Sequence, residues 1–406
     1  MWTRRTFLAS ALQTPRPNIL VFMTDQESAL LPGPVSLPNR ARLTKGAAIF
    51  THAFCNTPQC SPARSSLLTG LEPHRAGVRT NVDGSSLGGA LAPETPNIGS
   101  VFQKAGWTTG YFGKWHLSGQ AKDLARFGFS TTAAGSDSEV AAGASRWIRE
   151  QTQPWLAWVS VLNPHDIYHI REEVEKTKVR PGVRKPASNL ANLEGKPGEQ
   201  REFVDKDQGK ITADFDDDHW LRYRSYYLNL LEKTDALLGQ VLDAAGDLSN
   251  TIVVYTTDHG DQLGDHGLPF KGPFMYEPLI RIPLSIRSRG IKPGTRNDLV
   301  TQADLAPTLA ALAGIKWPSK TDGVDITKPI TRDAVYLEYY AKQKWVNPIR
   351  TIRTREWKLN AYRSGNRELY NLAQDPQERT DLSKNPAHAA TLRQLQQRLD
   401  AWWSGD

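Results

Sequence analysis

The sequence predicts an α/β protein built on a mixed, mainly parallel sheet sandwiched by helices, with a smaller α+β subdomain at the C-terminus. Three apolar runs carry that expectation: Ile19-Leu20-Val21-Phe22-Met23, Trp155-Leu156-Ala157-Trp158-Val159-Ser160-Val161-Leu162 and Ile252-Val253-Val254-Tyr255. Each is continuous rather than alternating, as strands buried on both faces are. Each also ends in polar residues, at Thr24-Asp25-Gln26, Asn163-Pro164-His165-Asp166 and Thr256-Thr257-Asp258-His259-Gly260. Open parallel sheets place their sites along such carboxyl edges. Residues 65–69, 98–105, 221–245 and 305–313 read as the helices between strands.

The remaining elements follow in order. Residues 17–333 form the main α/β unit. Within it, residues 171–218 shift to a polar composition with ten basic and twelve acidic residues and no clear period. A long irregular insertion directly after a motif strand predicts a surface lid or substrate-shaping loop. Residues 334–406 form the C-terminal subdomain. It has short alternating segments at 334–339, 350–354 and 357–362 and a closing amphipathic helix over 387–403, with Leu392, Leu395, Leu399 and Trp402 at helical spacing.

Composition excludes several classes. Hydrophobic residues make up 39% and charged residues 23% of the 406 residues, and no run approaches the ~18 apolar residues of a spanning helix, so no membrane span is expected. The net charge of +7 is small for this length. Part of it lies at Arg4, Arg5 and Arg16 and part beyond residue 335, and no nucleic-acid reading motif accompanies it, so no nucleic-acid partner is expected. Two cysteines, Cys55 and Cys60, cannot build a disulfide framework, and their spacing lacks the paired pattern of a structural zinc site. Cys55 reads as a small buried residue. At the N-terminus, Arg4-Arg5 followed by Phe7-Leu8 and the small Ala9-Ser10-Ala11 resembles a short twin-arginine signal over residues 1–16, which implies export to the periplasm. A cytoplasmic location is the alternative.

The most informative segment is Cys60-Ser61-Pro62-Ala63-Arg64-Ser65-Ser66-Leu67-Leu68-Thr69-Gly70. A cysteine just ahead of a helix start, with an arginine four positions on, sits where helix amides and a guanidinium favour an anion. The segment resembles the signature of the formylglycine-dependent sulfatases, members of the alkaline phosphatase superfamily. Further motifs match in the same order: Pro17-Asn18-Ile19-Leu20 through Asp25-Gln26, Gly113-Lys114-Trp115-His116, Asn163-Pro164-His165, Asp258-His259-Gly260, Lys271-Gly272, and Glu368-Leu369-Tyr370-Asn371-Leu372 with Asp375-Pro376. The resemblance therefore runs from Pro17 to the C-terminus. It implies an alkaline phosphatase-like fold and hydrolysis of sulfate monoesters. It also implies that a formylglycine-generating maturation enzyme converts Cys60 to 3-oxoalanine (formylglycine), whose hydrate is the nucleophile.

The chemistry of a sulfate ester agrees with the residues so matched. Anionic oxygens around sulfur and charge developing on the bridging oxygen call for fixed cations and an acid. The resemblance assigns Asp25, Gln26, Cys60, Asp258 and His259 to one divalent metal. Arg64 and Lys114 would hold the hydrate, and Lys114 and Lys271 the sulfate. His165 would protonate the leaving alcohol, assisted by Lys271, and His116 would take the proton whose loss expels sulfate. Many sulfatases carry paired aspartates at the first metal strand and Asp-Asn at the second. Asp25-Gln26 and Asp258-His259 resemble instead a branch that includes choline sulfatases, carbohydrate sulfatases and phosphonate monoester hydrolases. One carboxylate fewer and one imidazole more tolerate softer ions such as manganese better than an all-oxygen cage would; calcium remains the first expectation and manganese the second. A sulfated saccharide is expected over choline or simple aryl esters, with His266 as a further candidate substrate contact. The competing readings are a phosphonate monoester or phosphodiester hydrolase of the same superfamily, and a noncatalytic binding homologue in which Cys60 is never matured.

Overall fold

The computed structural model describes residues 15–82, 89–118, 121–342 and 345–402. The twin-arginine segment falls almost wholly outside them, as does the end of the last predicted helix at Trp403. Among the described residues, no helix is long and apolar enough to cross a membrane.

The main sheet has eight strands: β1 (Asn18–Asp25), β2 (Ala48–Phe54), β3 (Thr108–Gly113), β4 (Thr131–Ala133), β5 (Trp155–Pro164), β6 (Thr251–Thr257), β7 (Leu284–Arg287) and β8 (Gly294–Thr301). Their order is β4-β3-β5-β1-β6-β7-β2-β8. All pairs are parallel except those of β7, which runs antiparallel to β6 and to β2. The three predicted strands β5, β1 and β6 lie side by side at the centre. Register pairs Met23 with both Ser160 and Thr256, so the polar ends of all three strands emerge together.

The pleat of β1 explains the two helical layers. Ile19, Val21 and Met23 face a core that also contains Leu67, Leu68, Ile98, Phe102, Leu305 and Leu309. Leu20 and Phe22 face the other side, against Val140, Ala144, Trp147, Leu238 and Leu242. Helices Cys60–Thr69, Ile98–Lys104 and Leu305–Leu312 thus cover one face, and Asp137–Glu150 and Asp217–Ala245 the other. Alternate residues of a strand point to opposite faces, so a continuously apolar strand requires a layer on each.

The C-terminal part is an antiparallel sheet in the order β12-β11-β10-β9, formed by β9 (Ala334–Lys342), β10 (Trp345–Thr354), β11 (Trp357–Tyr362) and β12 (Arg367–Asn371). The helix Ala389–Trp402 packs on it through Leu395 and Leu399.

Two expectations need correction. The long helix begins at Asp217 rather than at residue 221, because the Asp216 side chain caps it by accepting from the His219 amide. Residues 171–218, read as a long irregular insertion without a period, also hold regular structure. They contain the helix Gly198–Lys206 and several single helical turns. Buried Leu193, Phe203 and Val204 anchor them in the main core. Ion pairs Arg171–Asp214 (2.7 Å) and Arg180–Glu232 (2.6 Å) brace the outside.

Candidate active site

Four parallel strands deliver the site from their carboxyl ends. Asp25 closes β1, and Gln26 follows it in left-handed backbone (φ 71). Asp258 and His259 follow β6, the neighbour of β1. Lys114 and His116 follow β3, and His165 follows β5. Cys60 enters from the other face as the first residue of the helix Cys60–Thr69, where unpaired amides and the helix dipole favour an anion. The amide of Ser61, one of those exposed at the helix start, donates to Asn81 Oδ1 (3.0 Å). Two glycines permit the close approach. A Cβ on Gly113 (φ 99) would stand 2.0 Å from the Ser160 carbonyl oxygen, and one on Gly260 would stand 2.0 Å from that of Pro278.

Arg64 is the keystone. It is only 1% exposed, and its guanidinium donates from Nη2 to Asp25 Oδ2 (2.7 Å) and from Nε to Asp258 Oδ2 (2.9 Å). Nη1 donates to the Lys114 carbonyl (2.7 Å) and to Ser160 Oγ (2.8 Å). The sequence expectation put Arg64 against a nucleophile hydrate. The geometry commits its donors to the two carboxylates and to the ends of β3 and β5.

Cations converge on Cys60. Lys271 Nζ lies 3.1 Å from Cys60 Sγ, 3.1 Å from His259 Nε2 and 2.8 Å from Gln26 Oε1. Lys114 Nζ lies 3.7 Å from the same sulfur and 2.7 Å from Asp25 Oδ2. Burial and Asp25 push the Cys60 thiol up, but Lys114, Lys271 and His259 outweigh them and hold it well below the ordinary thiol range. Burial likewise raises Asp25, yet Lys114, His165, Arg64 and Lys271 bring it well below the usual carboxylate range. By contrast Cys55, expected as a buried structural residue, is pushed well up by burial and by Asp258.

Asp25, Cys60, Asp258 and His259 offer ligand atoms within 4.8 Å of one another, all of them buried. The Gln26 oxygen lies next to this group: it accepts from Lys271 Nζ (2.8 Å), which also contacts Cys60 Sγ (3.1 Å) and His259 Nε2 (3.1 Å). His259 donates from Nδ1 to the Gly260 carbonyl (2.9 Å), which leaves the Nε2 lone pair facing Cys60 (3.3 Å). Burial and Lys271 lower the His259 imidazole, but Asp258 and Cys60 outweigh them and raise it; two carboxylates, an amide oxygen and, once deprotonated, this imidazole nitrogen fit a hard divalent cation and tolerate a slightly softer one.

His165, His116 and His266 are not part of this ligand group. The His165 ring packs on Tyr168 (4.8 Å), which in turn stacks on Phe270 (4.1 Å). Burial, helped by Lys271 and Lys114, pushes His165 down to about 3, so the free site holds it neutral. His116 is half-buried in left-handed backbone (φ 57), two residues beyond Lys114. His266 is buried, stacks on Tyr276 (4.1 Å) and has Nδ1 2.6 Å from Asn192 Oδ1, and it forms part of the wall of a cavity also lined by Arg184, Lys185, Arg224 and Asp265.

Several participants were not anticipated. Ser160 accepts from Arg64. Gln302 Nε2 donates to the carbonyls of Asp258 (2.5 Å) and Thr257 (3.0 Å), fixing the end of β6. Asp261 accepts from Gln26 Nε2 (2.7 Å). Asp261 alone was within reach of the sequence, as an acid three positions past a strand-end acid. The C-terminal sheet also touches the nucleophile loop, since Gln59 Nε2 donates to the Ala341 carbonyl (3.1 Å) and the Glu338 amide donates to the Asn56 carbonyl (2.9 Å).

Comparison with known proteins agrees with this arrangement. The family profile described as Sulfatase matches residues 17–315, and one described as N-sulphoglucosamine sulphohydrolase, C-terminal, matches residues 264–404. A choline-sulfatase of Rhizobium meliloti is 29% identical over 97% of this chain and 88% of its own. A Delta 4,5-hexuronate-2-O-sulfatase of Bacteroides thetaiotaomicron is 24% identical over 97% of this chain and 90% of its own. Among solved structures, a 2-O GAG sulfatase superposes with a TM-score of 0.83 at 22% identity, covering 95% of this chain and 92% of its own. The signature helix, the strand-end acids and the C-terminal sheet all fall within the matched spans, and the chain belongs to the sulfatase family.

Proposed function

We propose that this sulfatase hydrolyses sulfate monoesters of carbohydrates, with Cys60 matured to formylglycine by a dedicated enzyme and one divalent cation, calcium before manganese, held by Asp25, Gln26, residue 60, Asp258 and His259. The observation that carries the reading is the meeting of Lys114 and Lys271 at residue 60, beside two carboxylates bridged by Arg64, so that three cations meet two carboxylates. That leaves positive charge facing outward where an anionic ester has to sit. The saccharide class rests on the carbohydrate-active relatives. The Arg4-Arg5 pair supports export to the periplasm.

Formylglycine would supply a hydrated aldehyde, one hydroxyl to attack sulfur and a second whose deprotonation releases sulfate. The cation would supply charge to the sulfate oxygens. The chain's own residues do the rest. Lys114 and Lys271 bind the sulfate oxygens, and Arg64 bridges and aims Asp25 and Asp258, of which burial and Asp25 raise the Asp258 carboxyl above its ordinary range. Burial chiefly keeps His165 neutral in the free site, and Lys271 and Lys114 add to it. A bound sulfate offsets both lysines and raises the imidazole toward the protonated form, so His165 becomes the acid for the leaving alcohol in the complex, with Lys271 assisting. His116 receives the proton that leaves the second hydroxyl.

The test pairs mass with activity. Mass spectrometry of the peptide carrying residue 60, from a host with a maturation system, should show the aldehyde. The same preparation should hydrolyse sulfated saccharides, with aryl phosphonate and phosphodiester as the slower comparison substrates. An unmodified thiol would support a noncatalytic homologue, and faster phosphonate turnover would move the chain to the neighbouring activity. Metal content after purification without chelator reads the ion.

A further inference from the structure

A glutamine among carboxylate ligands raises a difficulty that an aspartate would not. Its oxygen can serve a cation and its amino group cannot, and the two are nearly the same size. Something has to decide which one faces the centre. In this protein Gln26 Nε2 donates to Asp261 Oδ2 (2.7 Å), which turns Oε1 toward Lys271 Nζ (2.8 Å), the same ammonium that lies 3.1 Å from the sulfur of Cys60. Asp261 is fully buried, and its other oxygen accepts from the Tyr223 hydroxyl (2.9 Å) and the Leu263 amide (2.8 Å). Every contact around this carboxylate is thus a donor pointing inward. The backbone of Gln26 is held as firmly: its amide donates to Asp258 Oδ1 (3.1 Å), and its carbonyl accepts from the Tyr227 hydroxyl (2.9 Å). Tyr223 and Tyr227 stand one turn apart on the helix Asp217–Ala245, so one helical face supports both Asp261 and the residue it orients.

We propose that Asp261 is the positioning residue for the metal centre: by accepting from Gln26 Nε2 it fixes the amide with its oxygen inward, and it makes glutamine usable as a cation ligand at position 26. The inference rests on the cation site proposed above.

The substitution Asp261→Asn tests it. The Leu263 amide requires an oxygen on the inner side of residue 261, so the asparagine amino group is forced to face Gln26 Nε2. Two donors cannot pair, and Gln26 turns its own amino group inward. Binding of Ca2+ and of Mn2+ to the purified full-length chain, measured by competition with a fluorescent chelator, should weaken by about tenfold to a hundredfold. The double variant Gln26→Glu with Asp261→Asn keeps the net charge and the shape. Its asparagine donates to one glutamate oxygen and leaves the other for the cation, so affinity should return to within a few-fold of wild type. Melting temperatures in EDTA verify folding. If Asp261→Asn does not fold, Tyr223→Phe removes one support of the carboxylate, and a few-fold loss of affinity is expected. Wild-type affinity in Asp261→Asn, or in Tyr223→Phe where that variant decides, overturns the inference. So does a double variant as weak as the single one. A wild-type chain that binds neither ion overturns the cation site itself and the inference with it.

Discussion

Replacing Arg64 probes the centre most directly, because its consequences follow from geometry alone. Asp25 and Asp258 are both fully buried and share one guanidinium, at 2.7 Å and 2.9 Å. Arg64→Ala leaves Asp258 without that partner and Asp25 with Lys114 (2.7 Å) as its near cation. Removing one member of a buried ion pair costs about 3–5 kcal/mol, since the remaining charge stays desolvated. The bonds to the Lys114 carbonyl and Ser160 Oγ are lost as well. Arg64→Lys keeps the charge, but one ammonium cannot span both carboxylates and also reach β3 and β5. Losing at least one charge-assisted bond costs about 1.5–3 kcal/mol. Urea unfolding followed by tryptophan fluorescence in EDTA should therefore rank wild type above Arg64→Lys above Arg64→Ala. Repeating the series with calcium should narrow the gap, since a divalent ion supplies the missing positive charge. An alanine variant that unfolds at the wild-type midpoint in EDTA would refute the picture of two ionised carboxylates gathered by one arginine.

Two further outcomes are expected. His165→Gln should lower kcat/KM by about 10²–10⁴ on alkyl sulfates, whose leaving alcohols need a proton, and much less on sulfates of acidic phenols. An equal loss on both would remove His165 from the acid role. Glu72 is raised from 4.5 to about 9 by burial and by the neighbouring Glu338 and Asp322, so the folded chain keeps a proton that the unfolded chain loses. Its contribution to stability is fully present below pH 4.5 and lost as pH rises toward 9. The slope due to this group is at most about 1.4 kcal/mol per pH unit. Glu72→Gln should flatten stability across that window, as read by melting temperature against pH, and an unchanged slope would assign the dependence elsewhere.

Strands β1, β5 and β6 are legible because they are buried on both faces, so apolar runs mark them. The other main-sheet strands stand out less: β2 is interrupted by Thr51 and His52, β7 has four residues, and β8 reads Gly-Thr-Arg-Asn-Asp-Leu-Val-Thr with its first half toward the surface. The turns of residues 171–218 have no period to detect, because isolated anchors within them, such as Phe203, hold them to a core formed mostly by other segments. The site shows the same division. Cys60, Arg64, Asp25, Asp258 and Lys271 announce themselves through local motifs at strand ends and a helix start. The pairing of Gln26 with Asp261 joins positions 235 residues apart, and no local pattern reports it.

The strand order also sets a timetable. β2 lies between β7 and β8, near the end of the main unit, and the cations that enclose Cys60 include Lys271, 211 residues further along the chain. Contacts between such distant segments close slowly and late. The Cys60 segment therefore has neither its neighbouring strands nor its cover until most of the polypeptide exists. A side chain that ends 1% exposed begins its life open to solvent. Any catalyst that alters this thiol has to work during that interval, before Gln59 engages the carbonyl of Ala341.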